Sequence, residues 1–349
     1  MNNLRLLFFC SLFFSYTIVG AQVEIEQGTV QKSRDVHFNP KFPPVHDPVM
    51  GKDGDTYYVF ATGNGISTLY SKDLITWKRG KPVFDSTPGW VKEALPNFKG
   101  NNIWAPDIIF YKGLYHLFYS CNATPGMPDA AIGHATNPTL NPNNPNFKWT
   151  DHGKIVQSVL NRDLWQAIDP NVIVDEDGTP WFIFGSFWDG IKAVKMTDDM
   201  MKLKWPEEWH SIARRPSTQK LYNYGLNDSQ IEGAFVFKHG EYYYLFTSFD
   251  MCCRGVKSNY HIVVGRSKSV TGPYLDRSGF SMMDGGGTVV AIGDGIRWAA
   301  VGHNSVYHIG NKDYLFTHAY SIPDKGVSEL VVSEIKWDSE GWPILHMPN

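Results

Sequence analysis

Cysteine is scarce, with four in 349 residues. Cys10 falls within an N-terminal apolar run, leaving Cys121 and the adjacent pair Cys252-Cys253. An odd count in an exported chain does not describe a disulfide framework, so the fold has to hold by its core. Basic blocks are missing as well: the formal net charge is −3 and no run of Lys and Arg interrupts the chain, which argues against a nucleic-acid partner. Past residue 21 no apolar stretch is long enough to span a bilayer. Nothing in the interior reads as a long amphipathic helix, and the best candidate, Asp198 to Trp209, is broken by Pro206. Also absent are a Ser-His-Asp pattern, a glycine-rich phosphate loop and a Cys/His zinc spacing.

The first residues carry one positive charge, Arg5, before an apolar run from Leu6 to Val19 that ends at Gly20-Ala21. That is the pattern of a secretory signal peptide over residues 1–21, followed by a mature chain of 22–349. Cys10 belongs to the discarded segment, because Phe8-Phe9 before it lack the small residues of a lipid-attachment site. Loss of Arg5 takes the net charge from −3 to −4. The expectation is a secreted or periplasmic monomer with no membrane span after cleavage.

What the chain has in quantity is aromatic residues, 12 Trp and 17 Tyr among them, the side chains with which proteins stack on sugar rings. It also repeats. Five segments share one design: His46-Asp47-Pro48-Val49-Met50, Ala105-Pro106-Asp107-Ile108-Ile109, Ile168-Asp169-Pro170-Asn171-Val172, Ile231-Glu232-Gly233-Ala234-Phe235 and Gly302-His303-Asn304-Ser305-Val306. Each is followed by a turn with glycine (Gly54, Gly113, Gly178, Gly240, Gly310) and a second, aromatic strand. The period of about 60–70 residues suits a four-stranded sheet with its loops, and five radial sheets make a propeller. The fold expected is all-β, a single-domain five-bladed β-propeller.

The first strand of each propeller blade lines the central channel, so residues at one place in the repeat converge on one axis. Taking Asp47, Asp107, Asp169, Glu232 and His303 as that place puts four acidic groups and a histidine together. Singly, an Asp-Pro such as Asp47-Pro48 or Asp169-Pro170 reads as strand entry; their common register is what points to a shared site. Clustered carboxylates suit glycosidic cleavage, in which one carboxylic acid protonates the leaving oxygen and one carboxylate activates water or attacks carbon. A third carboxylate has a use too, since its charge raises the pKa of the acid.

At these residues the chain resembles glycoside hydrolase family 43, and within it the endo-1,5-α-L-arabinanases. The motifs are Val45-His46-Asp47-Pro48, Asn102-Ile103-Trp104-Ala105-Pro106-Asp107, Gln166-Ala167-Ile168-Asp169-Pro170, Gly185-Ser186-Phe187-Trp188, Ile231-Glu232-Gly233-Ala234, the run from Gly265-Arg266-Ser267 to Gly272-Pro273-Tyr274, and Gly302-His303-Asn304-Ser305. The resemblance implies an inverting mechanism on arabinan or arabino-oligosaccharides, with Asp47 as general base, Glu232 as general acid and Asp169 tuning the acid. Inversion places base and acid roughly 6.5–9.5 Å apart. It also implies a channel Ca2+ at His303, held largely through water. Trp104 is expected as a stacking platform, Gly126 as a close backbone approach to sugar, and Gln166, Ala167, Ile168, Ser186, Phe187 and Trp188 as subsite walls beside Asp47 and Asp169. Asp107 is expected to be structural, and the pairing of Cys252 with Cys253 is left open.

Two other readings keep the same carboxylates. One is an exo-acting α-L-arabinofuranosidase or β-xylosidase; mid-chain attack is preferred on the expectation that no further domain caps the site. The other is a propeller that binds sugar without turnover.

Overall fold

The computed structural model describes residues 38–216 and 230–348, so the expected signal peptide lies outside the described residues. Five antiparallel sheets follow one another along the chain as meanders, except that the two-residue strand Gly63–Asn64, which lies between the second and third strands of blade 1, pairs with the first strand of blade 2. Blade 1 comprises Val49–Asp53, Thr56–Ala61, Ser67–Ser71 and Lys78–Arg79; blade 2, Asn102–Tyr111, Leu114–Asn122, Ala130–Asn137 and Thr150–Ser158; blade 3, Asn171–Val174, Pro180–Phe184, Ile191–Lys195 and His210–Ala213. Blade 4 holds Ile231–His239, Tyr242–Phe249, His261–Ser267 and Thr288–Ala291; blade 5, Trp298–Ile309, Lys312–Ser321, Val327–Trp337 and Pro343–Leu345. This is the five-bladed propeller. The turn glycines sit where expected, Gly54 and Gly240 joining the first two strands of their blades with φ of 59° and 55°, a region other residues enter at a cost. The only α-helix among the described residues is Trp90–Ala94, and the stretch around Pro206 is irregular, with a cis Trp205-Pro206 bond.

The core is five apolar layers, one between each pair of neighbouring blades. Val49 and Phe60 meet Ile103 and Leu117 between blades 1 and 2; Phe118 and Ile132 meet Val172 and Phe182 between 2 and 3. Ile183 and Ile191 meet Val236 and Leu245, Phe246 and Val264 meet Val301 and Leu315, and Phe316 and Leu330 meet Val59 and Trp77. Much of the aromatic content is spent here: Trp77, Trp181, Trp298 and Trp342 are buried core residues, so abundance of tryptophan is mainly a packing signal in this chain.

The ring closes in blade 5. Its third strand, Val327–Trp337, pairs with Pro343–Leu345 through Ile335, Lys336 and Trp337. Farther along, the same edge takes the start of the described chain: the Val45 N–H donates to the Ser328 carbonyl at 3.0 Å and the Leu330 N–H to the Pro43 carbonyl at 2.9 Å. The outer edge of blade 5 is thus covered by Pro343–Leu345 and by residues 43–45.

Strand register corrects the repeat alignment. Val49, Asp107, Asn171, Phe235 and Ser305 are the equivalent positions, matched across the sheet to Phe60, Phe118, Ile183, Phe246 and Phe316. Two residues earlier stand Asp47, Ala105, Asp169, Gly233 and His303, all with positive φ, between 39° and 59°. Asp107 therefore sits two residues past the lead position and Glu232 one before it. The cause is irregular strand entry, with register shifts at Trp104/Asp107, Glu232/Phe235 and Gly302/Ser305 that a count along the sequence does not see.

Candidate active site

The left-handed lead residues have their amides held by a recurring device. In four blades the N–H donates to a side chain two residues past the matched residue of the preceding blade's second strand. Asp47 donates to His318 Nδ1 at 3.1 Å, Ala105 to Thr62 Oγ1 at 2.8 Å, Asp169 to Ser120 Oγ at 3.0 Å and His303 to Ser248 Oγ at 2.8 Å. Positive φ at a residue with a side chain costs of order 1–3 kcal/mol and persists only where its surroundings enforce it; these bonds do so. In blade 3 the donor-accepting position is Gly185, which has no side chain to offer. The amide of Gly233 donates instead to Asp169 Oδ2 at 3.1 Å. Ser186, one residue on, donates from Oγ to Glu232 Oε2 at 2.8 Å. The exception to the pattern is what ties Asp169, Ser186 and Glu232 together.

Glycine at 233 is favoured on two counts. Its φ is 59°, and a Cβ there would lie 3.1 Å from His303 Cγ and Nδ1. Blade 4 can bring Glu232 to the site because the following residue takes up no room against the histidine of blade 5.

Asp47, Asp169, Glu232 and His303 are each at most 9 % exposed. Asp47 is surrounded by imidazoles: His46 Nδ1 is 2.8 Å from Oδ2, His303 Nδ1 3.1 Å from Oδ1 and His318 Nδ1 3.6 Å from Oδ1. Thr62 Oγ1 donates to Oδ2 at 2.5 Å. Burial pushes its pKa up, but the charges of His46, His303 and His318 and the His46 hydrogen bond outweigh this and hold the carboxyl well below its ordinary value. Asp169 goes the other way. Burial, then the charges of Glu232 and Asp47, raise it well above the usual carboxylate range, offset in part by the Gly233 amide. Glu232 is also raised, by burial first, against the opposing pull of His303, Ser186 and Tyr260; the Tyr260 hydroxyl donates to its Oε1 at 2.9 Å. One carboxyl is thus held low while two neighbours are raised, the separation of acid and base roles that hydrolysis by general acid–base catalysis needs.

His46 is itself fixed on three sides. Its Nε2 is 2.9 Å from the Tyr320 hydroxyl, and its ring stacks on His318 with centroids 3.9 Å apart. Burial lowers its pKa, but the charge of Asp47 and the hydrogen bond to it prevail, so the net shift is upward. His318 is driven well below its ordinary value by burial and by the charge of His46.

The expected substrate residues fall into two groups. Gln166 is buried and donates from Nε2 to the Met127 carbonyl at 2.8 Å, which brings it to the loop carrying Gly126 (φ 76°). The Phe187 N–H donates to the Ile231 carbonyl at 2.7 Å, locking the turn of Ser186, Phe187 and Trp188 to the strand of Glu232. Trp104 and Trp188 are half-buried. Ala167 is fully buried in the layer between blades 2 and 3, and Ile168 precedes Asp169 at 6 % exposure. Asp107 belongs to a different setting: its Oδ2 accepts from the Val172 N–H at 2.6 Å and from Asn171 Nδ2 at 3.2 Å, and burial lifts its pKa to about 7. It pins blade 2 to blade 3. The sequence reading did not single out Thr62, Ser120, Ser248, Tyr260, His318 or Tyr320. The first three and His318 were findable, since each stands two residues beyond the equivalent phenylalanine of a repeat's second strand, Phe60, Phe118, Phe246 or Phe316.

As to a cation, His303 offers one imidazole whose Nδ1 is already engaged by Asp47. The neighbouring Asn304 is buried, and among the described residues its amide nitrogen and oxygen find no hydrogen-bond partner. One imidazole and one amide oxygen are not a calcium cage of six to eight oxygens. They fit a cation whose remaining ligands are water.

Comparison with known proteins agrees with this geometry. An extracellular exo-α-(1→5)-L-arabinofuranosidase of Cellvibrio japonicus is 47 % identical over 299 residues, covering 86 % of this chain and 85 % of the relative. An extracellular endo-α-(1→5)-L-arabinanase of Bacillus subtilis is 39 % identical over 303 residues, covering 86 % and 87 %. The solved structure of Cellvibrio cellulosa α-L-arabinanase complexed with arabinohexaose superposes with a TM-score of 0.84 at 45 % identity, covering 88 % of this chain and 96 % of that one. The model for glycosyl hydrolases family 43 matches residues 41–343. With its carboxylates at the blade entries and this span of similarity, the chain belongs to glycosyl hydrolases family 43.

Proposed function

We propose that this enzyme hydrolyses α-1,5-L-arabinofuranosidic linkages in arabinan with inversion. The observation that carries the chemistry is the opposite environment of the buried carboxylates: Asp47 held low by the imidazoles of His46 and His303, Asp169 and Glu232 raised together. Asp47 acts as general base on the attacking water. Glu232 donates its proton to the leaving oxygen, oriented by Ser186 and Tyr260. Asp169 tunes the acid by sharing with Glu232 the proton for which both are raised and, through the Gly233 amide, positions the strand that bears Glu232. His303 and Asn304 would hold a calcium ion largely through water, and the ion would supply positive charge to the carboxylate cluster. Chelator treatment followed by calcium titration calorimetry tests it, and no metal dependence of binding or activity would sink it. An extracellular place of action is proposed on the names of the two relatives above.

Mid-chain attack is the mode proposed, supported by the endo-arabinanase motifs and the Bacillus subtilis relative. Release from chain ends is the second reading, favoured by the name of the 47 % identical relative. Chromatography of early products from linear arabinan decides: a ladder of oligosaccharides supports the endo mode, and one short product from the outset overturns it. Glu232→Gln is expected to bind arabinan and lose turnover by about three orders of magnitude. A wild-type protein that binds arabinan but produces no reducing ends would mark a binding propeller instead.

A further inference from the structure

We propose that the Cys252–Cys253 disulfide is a sugar-contacting wall of the substrate cleft, packing against an arabinofuranosyl ring beside Asp47; this rests on the arabinan reading above. The two neighbouring cysteines are joined. A disulfide stabilises a fold mainly by closing a long loop in the unfolded chain, and one at a sequence separation of 1 closes none. Its effect has to be local. Cys253 is exposed, and its Sγ lies 3.7 Å from His46 Nε2, while Nδ1 of the same ring contacts Asp47 at 2.8 Å. The disulfide is therefore one imidazole away from the proposed base.

The loop that presents it is built to stay in place. The Cys253 N–H donates to the Tyr320 hydroxyl at 2.7 Å, Met251 N–H to Asn259 Oδ1 at 3.0 Å, and Arg254 N–H to Ser258 Oγ at 3.0 Å. On its far side it packs on blade 5 so closely that a Cβ on Gly326 would lie 2.4 Å from the Val256 nitrogen. An oxidised pair has no thiol proton to donate, and its sulfurs are soft, polarisable and weakly accepting. Such a surface suits the C–H face of a furanose, as an aromatic ring does, and its fixed position removes the ordering cost of the contact.

The test uses linear arabino-oligosaccharide with three forms of the full-length enzyme: oxidised wild type, wild type reduced with tris(2-carboxyethyl)phosphine, and Cys252→Ala/Cys253→Ala. Loss of the wall is expected to raise KM about tenfold with kcat within twofold. An unchanged KM in a folded variant overturns the proposal. So does a fall in kcat at constant KM, which assigns the loop to holding His46 through Tyr320. Should the variant not fold, a crystal structure of Glu232→Gln with arabinohexaose decides: sulfur within about 4 Å of a furanose carbon supports the wall, and a disulfide facing only solvent overturns it. Absence of arabinan turnover by oxidised wild type overturns the substrate reading itself, whereas turnover with a disulfide-independent KM overturns only the wall.

Discussion

Asp47 and Asp169 occupy the same place in blades 1 and 3. Both precede proline, both are left-handed with φ of 53° and 57°, and both give their amide to a side chain of the preceding blade. Yet their carboxyls are driven in opposite directions. Blade 5 supplies His303 and His318 to Asp47, and His46 precedes it in the chain. Blade 4 supplies Asp169 with a glycine amide and a second buried carboxyl, Glu232. The backbone repeat delivers carboxylates to one axis, and the neighbouring blade decides which holds a proton.

Four substitutions probe that contrast, from the largest expected effect to the smallest. Asp47→Asn removes the one carboxylate held ionised and is expected to lower kcat by about a thousandfold with oligosaccharide binding retained; a kcat within tenfold of wild type would assign the base elsewhere. Asp169→Asn keeps the shape and removes one of the two neighbouring ionisable carboxyls. We expect kcat to fall about ten- to a hundredfold and the alkaline limb of the pH–rate profile to move to lower pH, because Glu232 then loses its proton more readily. A limb that stays put would contradict the tuning role.

Gly233→Ala places a methyl at φ 59° against His303. A stability loss of about 1–3 kcal/mol is expected, read as a lower Tm together with reduced kcat. Asp107→Asn is the control outside the site, with activity expected within twofold. The folded pKa of Asp107, about 7, lies above the unfolded value, so its contribution is fully present below about pH 4 and is lost as pH rises through 7. Relative to wild type, the Asn variant should gain Tm between pH 4 and pH 8; a flat difference would show that burial does not perturb Asp107.

The blade count and the hairpin turns are legible in the sequence because glycine at a tight turn and apolar alternation are local signals. Asp47, Asp169 and His303 are legible as equivalents because each leads its strand. Glu232 and Asp107 were assigned to that same place although they sit one and two residues from it, since bulges change how many residues separate equivalent points without leaving a mark in composition. The three imidazoles around Asp47 come from His46, His303 and His318, the last two more than 250 positions away. The repeat announces His303, whereas the part played by His318 emerges only from the register of blade 5. The abundance of tryptophan pointed to sugar stacking, but burial between blades claims much of it.

The shared outer edge of blade 5 gives synthesis a direction. Residues 43–45 precede their hydrogen-bond partners, Ser328 and Leu330, by more than 280 positions. Asp47 follows directly on that early segment and waits for His303 and His318 over a similar interval. A nascent chain carries the base long before it can shelter it, and Asp47 gains the imidazoles of His303 and His318 only once blade 5 has been made.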